Sequence, residues 1–192
     1  MDYRVVLGII ATVIAVISYV GYFRDIFKGK TKPHAFSWLI WTIVTGIAFF
    51  GQLSGSAGPG AWVTGFTAIV CIGIFIASLK YGRSNIVKLD WFFLTGAGIA
   101  ILLWILLKGP LLSVILATAI DCFAFIPTIR KSIHKPYEET LSLYAINTVK
   151  FFLSLLALQN FTLLTALYPA SWVILNFGFV VFLILRRNKL KV

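Results

Sequence analysis

The chain has 192 residues, 60% of them hydrophobic and 12% charged, with 17 Lys and Arg against 6 Asp and Glu. A soluble domain carries about twice that charged fraction, which leaves no room for a soluble catalytic or regulatory domain. The net charge of +11 is read as the Lys and Arg excess of cytoplasmic loops, not as a nucleic-acid surface.

A span needs about 20 apolar residues to cross roughly 30 Å of hydrocarbon, so seven spans would take about 140 residues. The apolar runs predict spans at 4–23, 35–54, 60–80, 91–107, 110–130, 138–158 and 161–185. Met1-Asp2-Tyr3-Arg4 is no signal-peptide n-region and no small-residue cleavage site follows it, so the first run is read as a retained span. Arg24, Asp25, Lys28, Lys30 and Lys32, followed by Pro33, break the chain after it. A Gly- and Ser-rich stretch from Gly51 to Gly60 precedes the third span, and Lys80, Arg83, Lys88 and Asp90 follow it. Lys108-Gly109-Pro110 ends the fourth span and opens the fifth, since Pro suits a first helical turn. Pro136 opens the sixth, with Glu138 and Glu139 placed to face the positive end of its helix dipole.

With seven spans, fourteen of the seventeen basic residues fall on one side, from Arg24 in the first loop to Lys191 in the tail. Arg4 and Lys108 fall on the other side and Lys150 within a span. This bias orients a multi-pass protein of the cell (inner) membrane, N-terminus outside and C-terminus in the cytoplasm. Cys71 and Cys122 lie in apolar runs and read as small buried hydrophobes. His34 and His134 lie in the basic loops and read as solvated, so no metal site is expected.

The chain also repeats itself. Thr31-Lys32-Pro33 opens span 2 and His134-Lys135-Pro136 opens span 6, at an offset of 103. Pro59-Gly60-Ala61-Trp62-Val63 and Pro169-Ala170-Ser171-Trp172-Val173 recur at an offset of 110. The predicted fold class is an all-α membrane protein of seven transmembrane helices, a 3+1+3 parallel repeat of a three-helix bundle. Residues 1–82 form the first bundle, 83–109 a linker helix and 110–192 the second bundle. Repeats of this kind are typical of transporters with sites at the repeat interface.

The second unit reads Phe125-Ile126-Pro127-Thr128-Ile129-Arg130-Lys131-Ser132 and continues to Thr140 and Ser142. With the 3+1+3 layout, this resembles the SWEET sugar transporters and the wider PQ-loop superfamily, whose pattern is a Pro-Gln pair, a basic stretch and then Ser or Thr. Thr128 replaces the Gln, and the first unit has Tyr22-Phe23-Arg24-Asp25 without Pro or Gln. The chain also resembles small bacterial membrane proteins with a Lys-Pro-Tyr-Glu-Glu-Thr run. The SWEET likeness implies a solute path between two three-helix bundles and proline hinges near the cytoplasmic helix ends, where Pro33, Pro127 and Pro136 fit.

Asp121 and Lys150 are the sharpest local feature. Read as lying on antiparallel neighbouring helices, both come near the midplane at 1.5 Å of rise per residue. A lone charge there costs several kcal/mol, and two opposite charges at one depth offset much of that by pairing. Such residues serve as proton or substrate-coupling groups, or fix helix register as a structural pair. Tyr144, Asn147, Lys150 and Phe151 share one face of span 6, and Thr165, Tyr168, Trp172 and Asn176 one face of span 7. Asn147 and Asn176 are the sharpest of these, because an amide in lipid demands partners. In the first unit, Ser18 or Tyr19 stands where Asp121 does and Thr45 roughly where Lys150 does, with Trp41 and Trp62 as cavity walls.

No phosphate loop, paired nucleophile and base, or paired intramembrane carboxylates occur. The expected function is therefore not enzymatic and uses no cofactor. It is transport of a small polar solute (sugar, amino acid or vitamin-like), with a proton as candidate coupling ion, by alternating access between the bundles. The alternative is a non-transporting receptor or partner-binding protein with a structural Asp-Lys pair. A retinal-type chromophore on Lys150 is disfavoured by the repeat. Membrane lipid and a second copy of the chain are the other expected partners, and nucleic acid is not one.

Overall fold

The computed structural model describes residues 2–82 and 109–190 throughout, and between them residues 87, 88, 91, 92, 94, 95, 98, 102 and 106. The described part is helical, with no strand among the described residues. The helices are α1 (Tyr3–Phe27), α2 (Ala35–Ser54), α3 (Trp62–Tyr81), α4 (Pro110–His134), α5 (Leu141–Leu156) and α6 (Leu163–Lys189). The predicted fourth span, 91–107, lies largely outside the described residues. Of its described positions all are helical, and the Trp91 ring meets Phe36 edge-on at 4.7 Å.

The helix ends follow local chemistry. Asp2 caps α1 by accepting from the Arg4 amide at 3.0 Å, and the chain leaves α1 through Gly29 at φ +69°, a conformation suited to glycine. A 3₁₀ turn, Gly58–Ala61, precedes α3 and carries Pro59 at its start. Pro110 occupies the first turn of α4, where a missing N–H is harmless. Thr162 and Thr165 cap α6 reciprocally through side chain and backbone.

Five segments are long and apolar enough to cross a membrane: α1, α2, α4, α6, and the 3₁₀ turn with α3, at mean hydropathies from 1.5 to 2.3. The predicted sixth span is shorter than its apolar run. Pro136–Glu138 form a separate 3₁₀ turn, and α5 holds 16 residues, a rise of about 24 Å. His34 is fully buried at the start of α2, which corrects the expectation of a solvated loop. Cys71 is buried, but Cys122 is exposed on the flank of α4, against the reading of both as buried.

The surface is apolar, and the largely apolar core holds many buried polar groups. Ile17, Val20, Ile69, Ile174 and Phe177 are all more than 60% exposed, while Ser37, Thr45, Gln52, Thr64, Asp121, Lys150 and Asn176 are fully buried. In lipid the hydrophobic effect gives little to helix association, and packing with interhelical hydrogen bonds must supply it.

The packing order is not the chain order. α3 packs on both α1 and α2, and α6 packs on both α4 and α5. Between these triplets α1 packs on α5 and α2 on α4. The six helices thus close a ring in the order α1, α3, α2, α4, α6, α5. Burial repeats in step. Ala11, Ser18 and Tyr22 correspond to Val114, Asp121 and Phe125, and Ile40, Trp41, Val44 and Ala48 to Leu143, Tyr144, Asn147 and Phe151, at an offset of 103. Val63, Thr64, Thr67, Cys71, Ile74 and Ser78 correspond to Tyr168, Pro169, Trp172, Asn176, Phe179 and Leu183, all buried, at an offset of 105. The Pro-x-x-Trp recurrence at 110 therefore misaligns the third helices by five residues.

Candidate functional site

All but α4 of the helices in the ring contribute walls to a small enclosed cavity of about 10 Å³, room for roughly one water. α1 supplies Tyr19, α2 supplies Trp38 and Trp41, α3 supplies Thr67 and Cys71, α5 supplies Leu143, Tyr144, Asn147 and Phe151, and α6 supplies Trp172. Trp172 stacks on Phe151 with centroids 5.7 Å apart and meets Trp41 edge-on at 5.5 Å. Behind this aromatic wall the Asn147 amide donates to Asn176 Oδ1 at 3.3 Å, and Asn176 donates to the Trp172 carbonyl at 2.6 Å. Trp41 Nε1 and Asn147 Oδ1 are buried and make no hydrogen bond. Two residues of the wall thus carry an unpartnered donor and an unpartnered acceptor, each costing about 1–3 kcal/mol while it has no partner.

The two buried charges flank this chamber separately. Lys150 donates to the Tyr19 hydroxyl at 2.9 Å and to Thr67 Oγ1 at 3.3 Å, and its ammonium lies 4.1 Å from the Tyr19 ring centre. Asp121 Oδ2 accepts from Trp172 Nε1 at 3.1 Å, and Oδ1 has no partner. Lys150 and Asp121 form no ion pair with each other. The predicted pairing fails because α4 and α5 are not packed neighbours, and α6 packs between them. Each charge reaches the cavity through an aromatic residue, Trp172 for Asp121 and Tyr19 for Lys150.

Beyond the cavity the triplets are sealed at both ends, by different chemistry. At the end carrying the basic loops, Lys32 Nζ binds Glu138 at 2.8 Å and the Lys32 amide donates to the Glu138 carbonyl at 3.0 Å. Thr140 bonds to Thr31 and to Asp25 Oδ2, the latter at 3.1 Å, and Thr128 donates to Ser37 at 3.0 Å. Glu138 is therefore a cross-link between the triplets, where the sequence suggested a helix-dipole residue. At the other end the contacts are neutral. Ser154 donates to the Gly60 carbonyl at 2.6 Å, Gln52 to the Thr165 carbonyl at 3.1 Å, and Thr45 bonds Tyr168 at 2.7 Å.

Of the residues singled out by sequence, Tyr19, Trp41, Tyr144, Asn147 and Trp172 line the cavity, with Asp121, Lys150 and Asn176 directly behind it. Ser18 is buried beside them, its hydroxyl unpartnered. Trp62 is no cavity wall. It is 42% exposed and packs near Gly8, because the third-helix register places Thr67, not Trp62, opposite Trp172. Pro127 lies inside α4, Pro136 opens its 3₁₀ turn with its carbonyl held by Arg187, and the Pro33 carbonyl packs against Gly82. Phe151, on the same predicted face of span 6 as Tyr144 and Asn147, also lines the cavity, whereas Trp38, Thr67, Cys71 and Leu143 were missed. Thr67 and Cys71 are one helical turn apart, and their polar or small character in an apolar run was the available signal. Among the described residues no group of His, Cys, Asp and Glu could hold a metal ion.

No protein-family model matches the chain, and neither a curated protein nor a solved structure matches it.

Proposed function

We propose that the chain is a transporter of a small polar solute, sugar, amino acid or vitamin-like, built as a 3+1+3 repeat of seven spans. In this reading the N-terminus is outside and the two triplets rock about the central cavity. The observation that carries it is a chamber between two triplets, lined by aromatic residues and by residues that carry buried polar atoms without partners, and closed at both ends by contacts between the triplets. A polar solute needs such faces and such donors and acceptors. Hydrogen bonds and an ion pair join side chains and loops of the two triplets at the ends, and such contacts break and reform. The 1-3-2 packing within each triplet and the matching burial support the internal repeat, and with it the resemblance to the SWEET and PQ-loop layout. Pro127, Pro33 and Pro136 border the basic-end seam, where hinge bending would act.

The cavity as it stands admits about one water, so this is a closed arrangement and solute entry requires one seam to part. Trp41 and Asn147 would bind the solute directly. Asp121 and Lys150 would tune it through Trp172 and Tyr19, or carry a coupling proton. The test is thermal stability of the purified protein against sugars, amino acids and vitamins. A ligand at 100 times its dissociation constant adds about 2.7 kcal/mol. A shift abolished by Trp41→Ala and altered by Asp121→Asn is expected. A panel that shifts nothing, joined to proteoliposomes that accumulate nothing, would refute transport of these solutes.

A further inference from the structure

The two seams differ in one respect that bears on how the cavity is read. At the neutral end, none of the bonding side chains lines the cavity. At the basic end a cavity residue reaches the seam through contacts within its own triplet. Tyr144 lines the cavity, and its hydroxyl donates to Glu139 Oε2 at 2.9 Å. Glu139 Oε1 pairs with the Lys131 ammonium, and both side chains are buried, at 0% and 2% exposure. Lys131 donates in turn to the Lys32 carbonyl at 2.6 Å, in the loop of the other triplet. The Glu139 carbonyl accepts from Arg187 of α6 at 2.6 Å. One carboxylate therefore joins a cavity wall to one of the bonds that tie the two triplets.

We propose that Glu139 is the positioning residue through which the cavity controls opening at the basic end, an inference that rests on the transport reading above. Its two oxygens divide the task. Oε2 holds the Tyr144 hydroxyl, and Oε1 aims the Lys131 ammonium at Lys32. A solute acceptor that draws the Tyr144 hydroxyl into the cavity removes one of the carboxylate's two anchors. The carboxylate then turns, Lys131 loses its aim, and the grip on the Lys32 carbonyl weakens. The chain of contacts is short and contiguous, and the proposal requires each link to have a second arrangement, as coupling between a site and a gate does. Because a buried ammonium without its counter-charge is strongly disfavoured, the seam is expected to part and hydrate Lys131 when the pair is lost.

Cys71 supplies the readout, since it lines the cavity and is 2% exposed. With Cys122→Ser it is the single thiol of a chain that has two cysteines. Its rate of reaction with a charged methanethiosulfonate is measured in membrane vesicles of both orientations. A companion carrying Lys189→Cys shows which face bears the basic loops. Glu139→Gln is expected to raise the Cys71 rate from that face by at least about tenfold, the factor given by about 1.4 kcal/mol, and to leave the opposite face unchanged. Tyr144→Phe, which removes one hydroxyl, is expected to move the rate in the same direction and decides the matter if Glu139→Gln does not fold. Rates unchanged in folded variants, or raised equally from both faces, would overturn the proposal. Protection of Cys71 by added solute separates the two readings. Protection with an unmoved Glu139→Gln rate leaves transport and removes the gate, whereas a moved rate without protection by any solute leaves the gate and removes transport.

Discussion

Replacing Lys150 by Met and Asp121 by Asn, singly and together, tests the separate placement of the two charges. Lys150→Met removes two hydrogen bonds from a charged donor, about 1.5–3 kcal/mol each, and a cation–π contact of about 1–2 kcal/mol. Against this, Met avoids burying an ammonium, which costs several kcal/mol. The two nearly cancel, so the single variant should lie within about 2 kcal/mol of the parent. Asp121→Asn keeps an acceptor for Trp172 Nε1 and removes a buried charge, while its amide N–H groups take the place of an oxygen that has no partner, so it should lie within about 1 kcal/mol of neutral. Because the residues share no partner, the double variant should equal the sum of the singles within about 0.5 kcal/mol. Reversible unfolding of the four proteins in mixed micelles measures this. A true buried pair would make each single variant lose about 3–5 kcal/mol and the double far less than their sum. A coupling of about 3 kcal/mol would therefore refute the arrangement described.

Two further outcomes follow from the geometry. Trp41→Phe keeps most of the aromatic packing and deletes an N–H that bonds nothing in the protein; thermal stability should fall by less than about 1 kcal/mol while solute affinity, read by the same thermal shift, falls about tenfold. Gly60→Ala would place a methyl 2.5 Å from Leu158 and 2.9 Å from the Ser154 carbonyl, whereas a methyl at Gly178 meets nothing within 4 Å. Calorimetry should show Gly60→Ala destabilised by about 2 kcal/mol or more and Gly178→Ala stabilised by up to about 1 kcal/mol.

The helices were legible where local chemistry ends them. The predicted 35–54 coincides with α2, bounded by Pro33 and Gly55. The sixth span was overextended because its apolar run continues past the C-terminal end of α5 through Ala157 and Leu158, and neither the 3₁₀ turn of Pro136–Glu138 nor the cross-link of Glu138 leaves a mark in hydropathy. Six cavity-lining residues were found because polar and aromatic side chains on one helical face stand out in an apolar chain. Their grouping was harder. Depth can be counted along a helix, but which helices touch cannot, and Asp121 and Lys150 sit at similar depth on helices separated by α6. Trp62 failed for a related reason, since a short motif recurred out of register with the burial pattern.

The brevity of α5 has a consequence for the lipid around it. Its 16 residues rise about 24 Å, while a bilayer core is roughly 30 Å thick. Val149, Phe152 and Leu156 are about half exposed along its outer side, so the acyl chains beside α5 must thin or the flanking backbone must enter them. That backbone is already satisfied from within, the Glu139 carbonyl by Arg187 and the Gln159 amide by the Ala57 carbonyl. Hydrophobic mismatch would then pull on both of these ties, one at each end of α5, and the Gln159 tie crosses between the triplets. Acyl-chain length becomes a mechanical variable for this protein, with longer chains loading the two ends of α5 and shorter ones relaxing them.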